Sequence, residues 1–335
     1  MRRLKTDIYY QTLSFHGNNL EDAMPVNEEI FSSLFDYIVK EEPGKTAQPH
    51  LIVGESGSGK TYLLKRLQDK VGKETSTVFP ILIDAKALFS TEDIWLHCVR
   101  QLELTVSSAD GFDDIMFWQK IHPRRVVLLI DNIQYYFNRT DNAAHYNLRG
   151  KLNKPGAPVL IATINEVSAF VTDYKAAFFD GFKTLYIRPI STDETVIAFK
   201  QSFDKNIFDF LWKYVPKTIR SLRIISSILK ESSNVDTALT KLIDCFYPYY
   251  QNKYDSYPLQ IQRLLSVLAT SDDGMSLREI REKTKQDNGK ISPYLKIMTD
   301  QKLIERISKT QRGAKYKIVD SLFSLWLKLN VAVIF

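Results

Sequence analysis

The stretch "GESGSGKT", Gly54 to Thr61, constrains this chain more than any other. It fits G-x-x-x-x-G-K-[ST]. The short apolar run "HLIV" stands directly before it, and "KTYLLKRLQDKV" follows with Leu63, Leu64, Leu67 and Val71 at helical spacing. A strand that turns through a glycine-rich loop into a helix presents backbone N–H groups and a helix N-terminus to an anion. In this pattern Gly54, Glu55, Ser56, Gly57, Ser58 and Gly59 wrap phosphates. Lys60 supplies a point charge for the β and γ phosphates, and Thr61 supplies a hydroxyl for Mg²⁺. Tyr62 is counted in the same site, and the expected cofactors are ATP and Mg²⁺.

A second segment completes that site. "RVVLLID", Arg125 to Asp131, is the most apolar strand of the chain and ends in an aspartate. Its carboxylate is expected at the C-terminal edge of a sheet beside the glycine loop, holding Mg²⁺ through Thr61 or a water. The next residue, Asn132, stands where a glutamate that polarises the attacking water is expected. An asparagine hydrogen-bonds water but cannot take its proton, and losing a positioned general base costs ~10²–10⁴-fold in rate. The sequence therefore reads as a slow ATPase or an ATP-held switch, with Asp84 and Glu166 as carboxylates able to substitute.

Five short apolar strands alternate with helical patterns: "HLIV", "TVFPILIDA", "RVVLLID", "APVLIATIN" and "KTLYIRPIS". That alternation argues for an α/β fold, a parallel sheet with helices on both faces. A helix is expected from Asp22 to Glu42. Beyond Ser191 the pattern is helical only, with "DETVIAFKQSF", "VPKTIRSLRIISSILK" and "VDTALTKLIDCFYPYY", and the loop "YQNKYDSYP" is expected to close that region. The division is an extension at 1–22, a nucleotide core at 23–190, a helical lid at 191–250 and a last unit at 256–335.

The last unit carries the charge. The whole chain has a formal charge of +6, but Ser276 to Val319 alone holds twelve basic and five acidic residues, a net +7. A charge gathered in one small region suggests a polyanion partner. The segment reads helix–helix–helix–strand–turn–strand, a winged helix-turn-helix. On its third helix lie Lys290, Ser292, Tyr294 and Lys296, with Ile291, Leu295, Met298 and Leu303 facing inward. Lys309, Arg312 and Lys315 lie on the wing. These seven are the candidates for contact with double-stranded DNA, the basic ones through phosphate.

On these motifs the chain resembles the AAA+ and STAND classes of P-loop ATPase, and most of all archaeal-type and origin-recognition (replication-initiator) ATPases with a C-terminal winged helix. The resemblance implies that "VLIATINEV" is a sensor strand, with Asn165 as its polar residue and Thr163 as the alternative. It implies that Lys183 or Arg188, in "GFKTLYIRPIS", is a trans-acting finger, and that Lys217 or Arg220, in "VPKTIRSL", reaches the phosphates from the lid. It further implies self-association through the core, and a role in replication, transposition or plasmid maintenance. The other reading is a STAND-type signalling or defence NTPase, whose winged helix packs against protein as an autoinhibitory module.

Other features narrow the field. No window holds eighteen apolar residues, so no spanning helix is expected. The N-terminal stretch lacks the apolar run of a signal peptide, and a cytoplasmic location is expected. The five histidines show no ligand spacing. Cys98 and Cys245 form no C-x-x-C pair and read as packing residues.

Overall fold

The computed structural model describes residues 27–40, 44–191, 204–232, 234–310 and 313–331. The expected extension at 1–22, the "DETVIAFKQSF" helix up to residue 203, and Arg312 lie outside the described residues, as does the side chain of Lys309. By contacts, the described residues fall into two compact units. One takes the residues up to Ser191 together with Thr218–Arg220. The other takes 204–217 and 221–331. The helical lid and the basic C-terminal region, read from the sequence as separate, thus fall in one contact unit.

The first unit opens with α1 (Glu28–Lys40), within the helix expected from Asp22 to Glu42, of which 22–26 and 41–42 lie outside the described residues. It continues through β1 (His50–Val53), α2 (Lys60–Glu74), β2 (Val78–Asp84), α3 (Thr91–Gln101), α4 (Phe112–Ile121) and β3 (Arg125–Asp131). After these come α5 (Gln134–Arg139), α6 (Asn142–Leu152), β4 (Val159–Ile164), the short α7 (Ala169–Thr172) and β5 (Lys183–Tyr186). The five strands form one parallel sheet in the order β2-β3-β4-β1-β5. Every residue of β1, β3 and β4 is buried. Successive side chains of a strand point to opposite faces, and here both faces are covered. Leu51, Leu128, Ile130, Leu160 and Ala162 join one apolar cluster with Trp95, Tyr136 and Phe137. Ile52, Val127, Leu129 and Ile161 join the other with Leu64, Leu67 and Phe31. Continuous apolar runs in the sequence are the signature of strands buried on both sides. Helix starts follow local chemistry: Ser90 and Asp93 form a reciprocal capping box on α3.

The second unit is helical before it turns mixed. Asp204 caps α8 (Lys205–Trp212), and α9 (Ile219–Glu231) passes into this unit after Arg220. Then α10 spans Val235–Asp255 and runs on through Pro248. The loop expected at "YQNKYDSYP" is therefore mostly helix, ending only near Ser256. Next come α11 (Leu259–Leu268), β6 (Met275–Ser276), α12 (Leu277–Thr284), α13 (Asn288–Asp300), β7 (Ile304–Thr310), β8 (Gly313–Ile318) and α14 (Ser321–Asn330). The three strands form an antiparallel sheet, β6-β8-β7. The two-residue β6 is too short to leave a periodicity and is absent from the sequence reading. Ser276 and Glu279 close a capping box at α12. The inward positions of α13 are Ile291, Leu295 and Met298, as the spacing required, while Leu303 is only half-buried.

Candidate nucleotide site

The glycine loop joins β1 to α2 at the C-terminal edge of the core sheet. Its backbone is pinned on both sides: the Gly54 N–H donates to the Ile164 carbonyl at 3.2 Å, and the Ile187 N–H donates to the Val53 carbonyl at 2.8 Å. Gly57 and Gly59 have φ of 84° and 98°, the left-handed region that costs other residues strain. Gly57 is needed for space as well. A Cβ there would lie 2.7 Å from the Arg220 Cβ, and the Arg220 N–H donates to the Gly57 carbonyl at 3.1 Å.

Lys60 sits at the first position of α2 and is only 6% exposed. Its ammonium donates to the carbonyls of Gly54 and Glu55, at 2.6 and 2.9 Å. Burial pushes its pKa down to about 8, and the charges of Asp131 and Glu55 oppose that shift. The hydroxyl of Ser58 is buried in the same loop without a hydrogen-bond partner. A buried orphan hydroxyl and a lysine held inside a loop of backbone N–H groups are what a phosphate group would satisfy. The loop therefore fits a nucleotide.

Asp131 ends β3 and is 5% exposed. One carboxylate oxygen accepts from the Thr61 hydroxyl at 2.6 Å, and the other accepts from the Thr163 hydroxyl. Thr61 and Asp131, the pair expected to hold Mg²⁺, are thus in direct contact. Hard oxygen donors of this kind suit that ion, which keeps several of its own waters. Asp84 ends β2 at the register position beside Asp131, and its carboxylate accepts from the Lys86 N–H at 3.0 Å, capping a short 3₁₀ turn at Ala85–Ala87.

Asn132 has a φ of 58°. Asparagine tolerates this left-handed conformation far better than most residues. Its N–H donates to the Thr163 hydroxyl at 2.9 Å, and the Ile133 N–H donates to the Thr163 carbonyl. Thr163 is completely buried. It links the Asp131 carboxylate to the backbone of the next residue. Asn165, which the resemblance favoured as the polar sensor, is exposed just beyond β4, and Glu166 is exposed beside it. Of the two sensor candidates, Thr163 is the one joined to Asp131. Its signal in the sequence was a lone hydroxyl inside the apolar run "VLIATI".

The two lid candidates also separate. Arg220 stands against Gly57. The Lys217 ammonium is bound by the carbonyls of Trp212 and Val215 and lies over the Trp212 ring, 4.6 Å from its centroid. Burial pushes the Lys217 pKa down.

A profile of the AAA domain matches residues 43–166, from the approach to β1 to the end of the sensor strand. That segment is an AAA domain. Similar solved structures agree on the fold. The ORC2 protein of Aeropyrum pernix, in its ADPNP–ADP complexes, superposes with a TM-score of 0.63 at 12% identity, covering 92% of this chain and 95% of that one. A Walker-type ATPase of Pyrococcus abyssi gives 0.61 at 13%, covering 94% and 99%. The Aeropyrum pernix ORC1 protein in complex with DNA gives 0.52 at 15%, covering 97% of each chain. At these identities the likeness is one of fold. No curated protein matches the sequence. No helix of the described residues is long and apolar enough to cross a membrane.

The buried lysine of the AAA domain makes a pH prediction. In the free protein Lys60 titrates near pH 8, below the ordinary lysine value of 10.5. Bound phosphates favour its charged form, so its pKa rises on binding. Nucleotide binding at pH 8.5–9 therefore takes up protons, and at pH 6.5 this lysine contributes none, being charged before and after. Calorimetry in buffers of different ionisation enthalpy reads this directly. Uptake that does not grow between pH 6.5 and 9 would place Lys60 away from the phosphates.

Proposed function

We propose that this ATPase is an ATP-dependent switch that binds double-stranded DNA through its basic C-terminal region. The observation that carries the reading is the surface of α13. Ile291, Leu295 and Met298 are buried, while Gly289, Lys290, Ser292, Pro293 and Lys296 are exposed along the opposite side. Tyr294 is half-buried between the two sides. This helix is the third of a helix–strand–helix–helix–strand–strand unit, the order of a winged helix-turn-helix, in which that helix enters the major groove. The strands β7 and β8 take the place of the wing, with Lys315 half-buried on β8. The excess charge of Ser276 to Val319 supports phosphate contact. The ORC1 protein of Aeropyrum pernix in complex with DNA and the Drosophila ORC bound to DNA share this fold, the second with a TM-score of 0.53 at 13% identity.

In this reading ATP and Mg²⁺ occupy the Lys60–Thr61–Asp131 site, and hydrolysis is slow because no carboxylate follows Asp131. Asn132 orders water without accepting its proton. Arg220 reports on the phosphates from beside Gly57. Copies of the chain associate through the core, with Lys183 or Arg188 contributed to a neighbour's nucleotide. The protein works in the cytoplasm, in replication, transposition or plasmid maintenance.

The test is charge reversal on α13. Lys290→Glu with Lys296→Glu is expected to weaken duplex binding on every sequence, and to flatten the plot of log affinity against log salt by about 0.9 per lost phosphate contact. Fluorescence anisotropy at several salt concentrations measures both. An unchanged slope would return the C-terminal unit to a protein-packing role.

A further inference from the structure

The core sheet has a second concave site at the edge opposite the glycine loop. A cleft of about 460 Å³ opens where β3 begins, lined by Gly44, Met116, Phe117, Lys120, Arg124 and Gly156, among others. Small-molecule sites generally occupy roughly 300–1,000 Å³. The cleft is built rather than incidental. Arg125, buried at its floor, donates to the carbonyls of Lys45 and Ala157, at 2.7 and 3.0 Å, and so ties both walls to the first residue of β3. Gln119 repeats this from α4: its amide donates to the Gly156 carbonyl at 3.0 Å and its oxygen accepts from the Val126 N–H at 2.7 Å. The Gly156 N–H donates in turn to the Lys45 carbonyl.

The lining divides by chemistry. Met116, Phe117, Pro123 and Pro155 are apolar, and Phe117 is 64% exposed although an aromatic side chain normally seeks cover. Lys120 and Arg124 are exposed at the rim, and neither side chain forms a hydrogen bond or ion pair with a described residue. Asp113, the carboxylate one turn before Phe117 on α4, is not part of the lining. The polar groups of Arg125 and Gln119 are already engaged by the walls, so the groups left to meet a ligand are an aromatic surface and two cations.

We propose that this cleft binds a small organic anion with an aromatic body, its ring against Phe117 and Met116 and its charge between Lys120 and Arg124. Guanidinium and ammonium groups both donate to carboxylate or phosphate oxygens, and arginine does so with two parallel donors. The site is separate from the nucleotide loop, so the proposal stands or falls without the DNA-binding reading.

The test uses fluorine NMR on the full chain, with the nucleotide loop saturated by a non-hydrolysable ATP analogue and Mg²⁺. The probes are 4-fluorophenylacetate, 4-fluorophenyl phosphate and 4-fluorobenzylamine, each added alone. The two anions are expected to broaden and the amine is not, and the stronger of the anions identifies the carboxylate or phosphate preference. Lys120→Glu with Arg124→Glu is expected to weaken anion binding by about tenfold or more, as loss of charged hydrogen bonds requires. Phe117→Ala is expected to weaken it while leaving the charge preference in place. All three positions are exposed, so the variants should melt as the parent does. Equal broadening by the amine, or anion binding unchanged in the double variant, would overturn the proposal.

Discussion

Lys60→Ala is expected to lose nucleotide affinity by about 10- to 100-fold, the equivalent of the roughly 1.5–3 kcal/mol of a hydrogen bond to a charged group. The fold should survive. The lysine's own partners are the carbonyls of Gly54 and Glu55, at the mouth of the loop, and its burial in the free protein works against its charge. Removing it leaves two carbonyls that water can reach, and relieves a buried ammonium. Isothermal calorimetry against ATP gives the affinity, and a thermal melt checks the fold. Equal affinity in the two proteins would mean that the loop does not hold phosphate.

Asp131→Asn is expected to slow hydrolysis by at least about a hundredfold, some 2.7 kcal/mol of barrier. The carboxylate is the negative partner of the expected metal, and it is gripped by the hydroxyls of Thr61 and Thr163. The amide has the same shape but no charge, so the loss should appear in turnover more than in stability. Asn132 gives the contrasting case. Supplying a base there, Asn132→Glu, is expected to raise turnover, but its φ of 58° penalises glutamate, and the backbone must first absorb about 1–2 kcal/mol. That strain is shared by ground and transition states, so it lowers the melting temperature and leaves the gain in turnover, ~10-fold or about 1.4 kcal/mol of barrier, in place. Asn132→Gly relieves the backbone without supplying a base and should stay as slow as the parent. Single-turnover phosphate release separates the three. Rapid hydrolysis by the parent, lost only on changing Asp84 or Glu166, would show that the base comes from elsewhere.

The core of this protein was legible because its signals are strong and local. A strand buried on both faces is a continuous apolar run, as β1, β3 and β4 are, and the two more exposed strands, β2 and β5, were expected beside them. The glycine loop and Asp131 needed only their neighbours in sequence to be placed. What sequence could not resolve depends on the left-handed backbone or on distant partners. The choice of asparagine at 132 reads as chemistry in the sequence, yet in the structure it is also the residue that fits a left-handed turn. Between Asn165 and Thr163 the resemblance favoured the first, but only the three-dimensional register puts the Thr163 hydroxyl on Asp131. Lys217 and Arg220 are nearly one helical turn apart and equivalent on paper. The carbonyls of Trp212 and Val215 engage one, and the Gly57 backbone meets the other. The loop expected at "YQNKYDSYP" is mostly helix instead, because α10 continues past Tyr250 to Asp255 and absorbs the one donor missing at Pro248.

If the chain is the switch proposed above, the nucleotide state of the AAA domain sets how tightly it holds duplex DNA. The direct measurement is duplex affinity by anisotropy, at fixed salt, with the non-hydrolysable ATP analogue, with ADP and with no nucleotide. Lys60→Ala serves as the control that cannot respond. The affinities are expected to differ by about tenfold or more between the ATP-like and ADP states, roughly 1.4 kcal/mol of coupling, with the difference abolished in Lys60→Ala. Equal affinity in all three states, or no duplex binding at any salt, would contradict that reading.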